Sequence, residues 1–415
     1  MITRIEAMGF RCLKYICQDL AAFQVLIGPN ASGKTTFLDV LGFVGDILSL
    51  GLQAAIENRG NDFIDMTWNH EPRDVELVVE AEIPRTFRDR LVRPFTHFRY
   101  ELRLGIVPVL NEVGILAENG WLIERTKKEK CLEQPLLFPA DRVPPETLLT
   151  RSGKTRKRVL SKSPSGNDTF YSETAKGWVP SFKLGPRRSA LANLPEDESR
   201  FPVATWFKRL MMTGVQKITL NSMALRKPSP AIKASGFATD GSNLPWIIHT
   251  LEDEQNASQY KWWLAHIRTA LPEVESIRTA ERAEDRSRYL LIRYKSGLEV
   301  PSWMASDGTL RLLALTVPAY VPNFSGICLI EEPENGVHPR AIETIFQSLS
   351  SVYGAQFLMA THSPTVLSLA SPESILCFKK TSIGATDIVR GDEHPAVKDW
   401  KGAVTLSELY AGGVL

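Results

Sequence analysis

Residues 28–35 read Gly28-Pro29-Asn30-Ala31-Ser32-Gly33-Lys34-Thr35, and this stretch decides the fold. An apolar run, 23–27, precedes it and a further apolar run, 37–41, follows it, which predicts a strand, a loop and a helix. The glycines let the backbone curl so that consecutive N–H groups point inward, where the helix N-terminus adds partial positive charge. The spacing G-x-x-x-x-G-K-[ST] therefore predicts a loop that binds a nucleoside triphosphate.

Two side chains of this loop have predicted roles. Lys34 is expected to reach the β- and γ-phosphates, and Thr35 is expected to ligate Mg²⁺. The expected nucleotide-binding set comprises Gly28, Pro29, Asn30, Ala31, Ser32, Gly33, Lys34, Thr35 and Thr36.

Length and composition limit the class of protein. At 415 residues the chain exceeds the size at which one core keeps growing, so two lobes or a core with a large insertion are expected. A net charge of +2 gives no global field, so an anionic partner would be met by local patches. Five scattered cysteines without a C-x-x-C favour reduced thiols and a cytoplasmic location. No signal peptide or membrane span is indicated.

The chain is expected to divide into three parts. Residues 1–130 read as the N-terminal part of a nucleotide-binding core with a side lobe, in which 75–83, 98–104 and 121–124 form an antiparallel sheet with one wet face. Residues 131–300 read as a mixed insertion with a helical subdomain, and 301–415 as the C-terminal part of the core. The expected fold class is α/β, a P-loop NTPase core sheet with an antiparallel β side lobe and a mixed or helical insertion.

A basic stretch lies in the expected insertion and has no acidic residue between 151 and 167. Two interpretations remain open: a nucleic-acid contact, or the solvated tip of a hairpin whose charges keep it soluble. Arg187 and Arg188 add charge nearby, and either group could instead pair with nearby acids. The residues of the stretch that could contact DNA are Arg151, Lys154, Arg156, Lys157, Arg158 and Lys162.

A second apolar strand, 325–330, ends in the carboxylates Glu331 and Glu332. Adjacent residues of a strand point in different directions, so Glu331 is expected to complete the Mg²⁺ shell through a water molecule. Glu332 is then expected to orient or deprotonate the attacking water. The alternative is an ordinary polar strand end.

Two further pieces flank this strand. His362 follows the apolar strand 356–360, where it could donate a hydrogen bond to the γ-phosphate or to water, although a lone histidine is more often structural. Upstream, Ser306, Asp307 and Gly308 open a helix whose N-terminus could grip phosphate oxygens. The alternative for these three residues is a simple N-cap.

Together, in this order, these pieces resemble the ATP-binding-cassette (ABC) ATPases, in the soluble branch related to the SMC, RecF and OLD proteins. Residues 28–36 look like the Walker A loop, 306–308 like the signature, 327–332 like Walker B, 334–338 like the D-loop, and His362 like the switch histidine. The resemblance implies ATP and Mg²⁺ as cofactors. It also implies a head-to-tail homodimer in which Ser306 and Gly308 of one subunit close over ATP held by Lys34 of the other.

The branch is suggested by what the sequence lacks. The sequence lacks the sustained heptads that would predict coiled-coil arms. The roughly fifty residues after His362 are too few for the Toprim nuclease domain of OLD-like proteins. The sequence of residues 331–339 is similar to that of compact ATPases of bacterial anti-phage systems. The resemblance thus implies an ATP-driven switch with a separate effector, such as a nuclease. The alternatives are a DNA-clamping repair or recombination ATPase of the RecF or SMC type and a non-enzymatic scaffold.

Overall fold

The structure, a computed structural model, describes residues 1–108, 110–125, 137–153, 155–174, 179–231 and 236–395. The chain forms two compact units. The first is built mainly from Met1–Ala21, Gly28–Val215 and Leu376–Asp399, and the second from Ala22–Ile27 and Gln216–Ile375.

The strands of the described residues, in chain order, are β1 (Ile2–Phe10), β2 (Leu13–Asp19), β3 (Phe23–Ile27), β4 (Val75–Glu82), β5 (His97–Val107), β6 (Glu112–Ile123), β7 (Arg156–Lys162), β8 (Asp168–Phe170), β9 (Ser181–Phe182), β10 (Val215–Ile218), β11 (Val274–Glu281), β12 (Arg288–Tyr294), β13 (Glu299–Pro301), β14 (Gly326–Glu331), β15 (Ala355–Ala360), β16 (Ile375–Lys380) and β17 (Thr386–Arg390). The α-helices are α1 (Lys34–Ser49), α2 (Leu52–Glu57), α3 (Arg85–Arg88), α4 (Pro202–Arg209), α5 (Ser222–Arg226), α6 (Leu244–Glu252), α7 (Ala257–Ala270), α8 (Asp307–Thr316), α9 (Pro339–Ser350) and α10 (Pro364–Leu369).

An antiparallel sheet dominates the first unit, in the order β2-β1-β4-β5-β6-β7-β8-β9. The three stretches predicted as a β lobe are β4, β5 and the end of β6, and they share this sheet with the hairpin β1–β2. One face of β5 is apolar, and its Phe98 packs on Phe207 of α4 with ring centroids 4.8 Å apart. The basic stretch forms β7, which pairs with β6.

The prediction of one wet face on this sheet is wrong at its centre. Arg99 and Glu101, on the polar face of β5, are buried. Their partners belong to a segment far along the chain: Arg99 donates to the carbonyl of Leu148 at 2.8 Å, and Glu101 accepts the N–H of Thr150 at 2.9 Å. Arg99 also pairs with Glu6, at 2.6 Å. The charges alternate as on a solvated face, but they satisfy one another and a covering segment, so the face is dry.

Parallel pairing characterises the second unit, where strands occur in the order β10-β14-β15-β3. β14 and β15 are parallel, as are β15 and β3. The pairing continues beyond the strands, since the N–H of Glu332 donates to Ala360 at 2.8 Å and that of Thr361 to Leu26 at 3.1 Å. The carboxyl ends of three strands therefore meet at one edge.

Around these strands, α7, α8 and α9 pack on one another. Trp263 of α7 is fully buried and its Nε1 donates to Oγ1 of Thr316 in α8 at 3.0 Å, so it is a core residue. Three further strands form a separate antiparallel sheet, in the order β11-β12-β13.

Two sequence expectations concern membranes and thiols. Over the described ranges, no helix is long and apolar enough to cross a membrane. Cys12, Cys328 and Cys377 are free thiols. Cys17 is disulfide-bonded, so the expectation of reduced thiols is wrong at this position.

Candidate nucleotide-binding site

The predicted phosphate loop has the backbone its glycines allow. Gly28 has φ 149°, Ala31 φ 60° and Gly33 φ 106°, which lie in the region that disfavours residues with a Cβ. Helix α1 begins directly after the loop, and its N-cap Gly33 brings no side-chain cap. The first turn of α1 also lacks an acidic residue. The first turn of α1 therefore offers no carboxylate of its own in competition with a phosphate.

Lys34 and Ser32 occupy the inside of the loop. The Lys34 ammonium is buried and donates to the carbonyl oxygens of Gly28, at 2.8 Å, and Pro29, at 3.0 Å. The hydroxyl of Ser32 is also buried and has no hydrogen-bond partner within the part of the chain that the structure describes. A positive charge and an unsatisfied hydroxyl within a curled loop suit a phosphate group. Thr35, the predicted metal ligand, is exposed.

Both glycines of the loop are sterically required. A Cβ on Gly28 would lie 2.2 Å from the carbonyl oxygen of Phe378 in β16, and one on Gly33 would lie 2.2 Å from Oγ1 of Thr386 in β17. Sequence reasoning missed Phe378 and Thr386, because nothing in their local pattern signals a partner more than 300 positions away.

The two acidic residues have different partners. Glu331 closes β14 and forms an ion pair with Lys217 of β10 at 3.0 Å. Glu332 is exposed and has a left-handed backbone, φ 48°, an unusual conformation for a non-glycine residue. The side-chain amide of Asn335 donates to its carboxylate. Lys217 was not predicted from the sequence; its partner lies on another strand.

Glu334 links the acidic strand to His362. Its Oε1 accepts the hydroxyl of Thr361 at 2.7 Å and the N–H of His362 at 2.9 Å. Its Oε2 is buried and has no hydrogen-bond partner in the described ranges. The sequence analysis placed Glu334 only at the start of a D-loop-like stretch. The structure gives it a defined task, which is to fix the polar end of β15.

The residues that open α8 lie beside the 333–338 loop. Ser306 caps the helix by accepting the N–H of Thr309 at 3.2 Å, and Asp307 pairs with Arg226 at 2.7 Å. A Cβ on Gly308 would lie 2.7 Å from the carbonyl oxygen of Gly336. The second unit thus brings the signature-like and D-loop-like stretches into contact. Ser306 is exposed, so its cap is compatible with the predicted phosphate contact, which stays a prediction.

The structure describes five of the six predicted DNA-contacting residues, and they differ in exposure. Lys162 is buried and pairs with Asp168 at 2.8 Å, so it is removed from the patch. The Arg158 guanidinium lies 4.5 Å from the ring centroid of Trp121, and Lys157 donates to the carbonyl of Glu173 at 2.8 Å. Arg151 and Arg156 are exposed, whereas Lys154 lies outside the described residues.

A strand, a curled glycine loop and a helix, together with parallel strands that are followed by carboxylates and a histidine, are the elements of a P-loop NTPase fold. The chain belongs to the family described as "AAA domain, putative AbiEii toxin, Type IV TA system", whose model matches residues 23–368. The ABC-like ATPase fold predicted from the sequence is confirmed. The comparison with curated proteins gave no match.

Two solved structures share the fold. One is the Smc head bound to the C-winged helix domain of ScpA, with a TM-score of 0.52 and 13% identity over 94% of this chain and 97% of that chain. The other is the SMC head domain with an extended coiled coil, bound to the C-terminal domain of ScpA, from Pyrococcus furiosus. Its TM-score is 0.50, with 12% identity over 100% of this chain and 98% of that chain. At these identities the likeness concerns the fold alone.

Proposed function

We propose that this protein binds ATP with Mg²⁺ and hydrolyses it, and that ATP binding closes a head-to-tail homodimer that acts as a switch. One observation carries the proposal. β3, which leads covalently into Gly28, ends at the same sheet edge as β14 and β15, which end in Glu331 and just before His362. In open parallel sheets, ligands bind at the carboxyl ends of the strands.

We assign each residue of the proposed ATP site a role that suits its chemistry. Lys34 binds the β- and γ-phosphates, aided by the N–H groups at the start of α1. Glu332 is exposed and orients or deprotonates the attacking water, while His362 donates a hydrogen bond toward the γ-phosphate. Glu331 and Thr35 would hold Mg²⁺, which neutralises phosphate charge when bound. In the described ranges no group of three or more His, Cys, Asp and Glu side chains could hold a metal.

The dimer is proposed from the start of α8. Ser306 is exposed at the N-terminus of α8. Gly308, two residues further on, lies close to Gly336 of the 333–338 loop. A helix N-terminus is suited to a phosphate, so Ser306 and Gly308 of one subunit would close over the ATP held by Lys34 of the other. Hydrolysis would then require two chains.

The test is the variant Glu332→Gln. It should bind ATP as the wild type does, release phosphate at least roughly a hundredfold more slowly, and accumulate as an ATP-dependent dimer in light scattering after gel filtration. Glu343→Gln, an exposed carboxylate on α9, is the matched control and should behave as wild type. Wild-type protein that binds ATP but never releases phosphate would favour a scaffold role. A calorimetric blank with ATP and Mg²⁺ would end the proposal altogether.

For the biological role we propose a switch in prokaryotic anti-phage defence with a separate effector. The family description, which names a putative toxin and a type IV toxin–antitoxin system, supports a defence setting. Phage plating on cells that carry the native gene neighbourhood, with wild type or Lys34→Ala, tests this. Equal plating efficiency in both would contradict it.

A DNA-clamping ATPase is the second candidate, supported by the exposed Arg151 and Arg156. Binding through phosphate contacts weakens as salt rises. Duplex DNA should therefore bind at low salt, and Arg151→Ala with Arg156→Ala should reduce both the affinity and its salt slope. No binding at low salt would exclude this candidate.

A further inference from the structure

The hairpin β16–β17 is attached to the phosphate loop at both of its glycines. The carbonyl of Phe378 lies against Gly28, and the ring of Phe378 packs on Phe37 of α1 with centroids 5.5 Å apart. Thr386 lies against Gly33. The hairpin therefore contacts the loop at its entry and at its exit into α1.

Thr386 makes the polar contact. Its side chain is buried, and its hydroxyl donates to the carbonyl of Ser32 at 2.8 Å. Its own N–H donates to the carbonyl of Cys12 at 2.9 Å, which fixes the backbone from which the hydroxyl reaches. A threonine hydroxyl has a single hydrogen, so this bond commits it to Ser32.

The geometry of the peptide unit gives this bond a consequence for ligand binding. The carbonyl of Ser32 and the N–H of Gly33 belong to one planar trans unit, in which the two groups point in opposite directions. Since Thr386 holds the Ser32 carbonyl toward the hairpin, the Gly33 N–H is directed away from it. A phosphate loop requires inward N–H groups, and this bond selects one orientation of that peptide.

Asp387 anchors the strand on its other face. Successive side chains of a strand point to opposite faces, so Asp387 points away from the loop. It is buried and accepts the N–H of Ala140 at 2.8 Å and Nε of Arg142 at 2.7 Å. The strand that carries Thr386 is thereby held between the phosphate loop and residues 140–142.

We propose that Thr386 is a positioning residue for the ATP site: its hydroxyl orients the Ser32–Gly33 peptide so that the Gly33 N–H faces the phosphates. This inference rests on the proposed function, because it needs ATP as the ligand of the loop. Thr386 acts through the loop backbone and does not touch the reacting atoms.

The experiment compares Thr386→Val, which removes the hydroxyl and keeps the shape, with Thr386→Ser, which keeps the hydroxyl. ATP with Mg²⁺ should bind Thr386→Val roughly tenfold more weakly in calorimetry, with KM raised and kcat within roughly twofold. Thr386→Ser should bind within roughly twofold of wild type. Thr381→Val, on the same hairpin, is the matched control, because the buried Thr381 hydroxyl has no hydrogen-bond partner in the described ranges. It should leave the affinity unchanged.

Two results would overturn the inference: Thr386→Val binding ATP as wild type does, or Thr386→Ser binding as weakly as Thr386→Val, which would assign the effect to packing. If Thr386→Val does not fold, the same comparison between Thr386→Ala and Thr386→Ser decides in the same way. Wild-type protein that fails to bind ATP would contradict the proposed function instead, so the two failures are distinguishable.

Discussion

Glu334 holds the backbone of His362, whose N–H donates to Oε1 of the carboxylate at 2.9 Å. The same oxygen accepts the Thr361 hydroxyl at 2.7 Å. One side chain beyond the end of β14 thereby fixes the end of the neighbouring strand, β15. If His362 acts on the γ-phosphate as proposed, its placement depends on Glu334.

This relationship predicts a defect in turnover without a defect in binding. Glu334→Ala should slow phosphate release roughly tenfold, because a hydrogen bond to a charged acceptor contributes about 1.5–3 kcal/mol and its loss frees the strand end. ATP affinity should change less than roughly twofold. Glu334→Gln retains an acceptor oxygen and should lie nearer the wild type. Steady-state phosphate release at saturating ATP measures the difference, and wild-type turnover in Glu334→Ala would refute the positioning role.

The surroundings of Gly33 and Gly51 predict that alanine will affect ATP binding at the first position and not at the second. A Cβ at Gly33 would meet Oγ1 of Thr386 at 2.2 Å, whereas one at Gly51 would meet nothing within 4 Å. Both residues have positive φ, 106° and 91°, so alanine strains the backbone at each. Gly33→Ala should weaken ATP binding at least roughly tenfold, while Gly51→Ala should retain wild-type affinity. Calorimetry on the two variants tests this, and equal losses would indicate that backbone strain, not the contact, matters.

The buried carboxylate of Glu173 predicts a pH dependence of stability. Burial raises the pKa of Glu173 to about 7 from 4.5, although it accepts N–H groups of Val203 and Ala204 at the start of α4. Since the folded protein binds this proton more tightly than the unfolded chain, the free energy of unfolding falls as pH rises through this interval and is level above it. At about 1.4 kcal/mol per pKa unit, the fall is about 3 kcal/mol.

The measurement is urea unfolding of wild type and Glu173→Gln from about pH 5 to about pH 8. Their difference isolates Glu173 from other titrating groups, including His394, whose pKa burial lowers to about 4 and whose effect has the opposite sign. Glu173→Gln should show a flatter profile over this interval. Parallel profiles in the two proteins would show that Glu173 titrates at its ordinary value when folded.

The features that could be predicted from the sequence are those that short-range residue patterns encode. The apolar runs of β3, β14 and β15 read as strands, and Ser306 before a helix read as a helix start. The order of these pieces along the chain then identified the ATPase class. Each strand or helix start needs only a window of about a dozen residues, whereas the class needs the order of all the pieces.

What the sequence could not predict depends on partners distant along the chain. Thr386 lies 354 positions from Ser32, and Lys217 reaches Glu331 from another strand. The charges of β5 alternate as on a wet face, and only the covering segment near Leu148 makes that face dry. A charged residue in a strand pattern carries no local mark of whether water or another charge will be its partner.

The buried pair Lys162 and Asp168 supplies the remaining prediction. Nζ of Lys162 donates to Oδ1 of Asp168 at 2.8 Å and to the carbonyl of Gly185 at 2.7 Å, and both charged side chains are almost fully buried. Lys162→Met should lower the free energy of unfolding by about 3–5 kcal/mol, because it leaves the Asp168 charge buried without its partner. Arg151→Ala, at an exposed position of the same basic stretch, should change stability by less than about 0.5 kcal/mol.

Urea unfolding and a DNA titration at low salt, on both variants, distinguish a structural role of Lys162 from a role in DNA binding. If the pair is structural, the double variant Lys162→Met with Asp168→Leu should recover part of the lost stability, since neither charge then remains buried alone. Unchanged stability in Lys162→Met, together with weaker DNA binding, would mean instead that Lys162 leaves the interior to meet a phosphate. Moving Lys162 to the surface would leave the Asp168 charge buried without a partner. The expected result for Lys162→Met is therefore a loss of stability with no specific effect on DNA affinity.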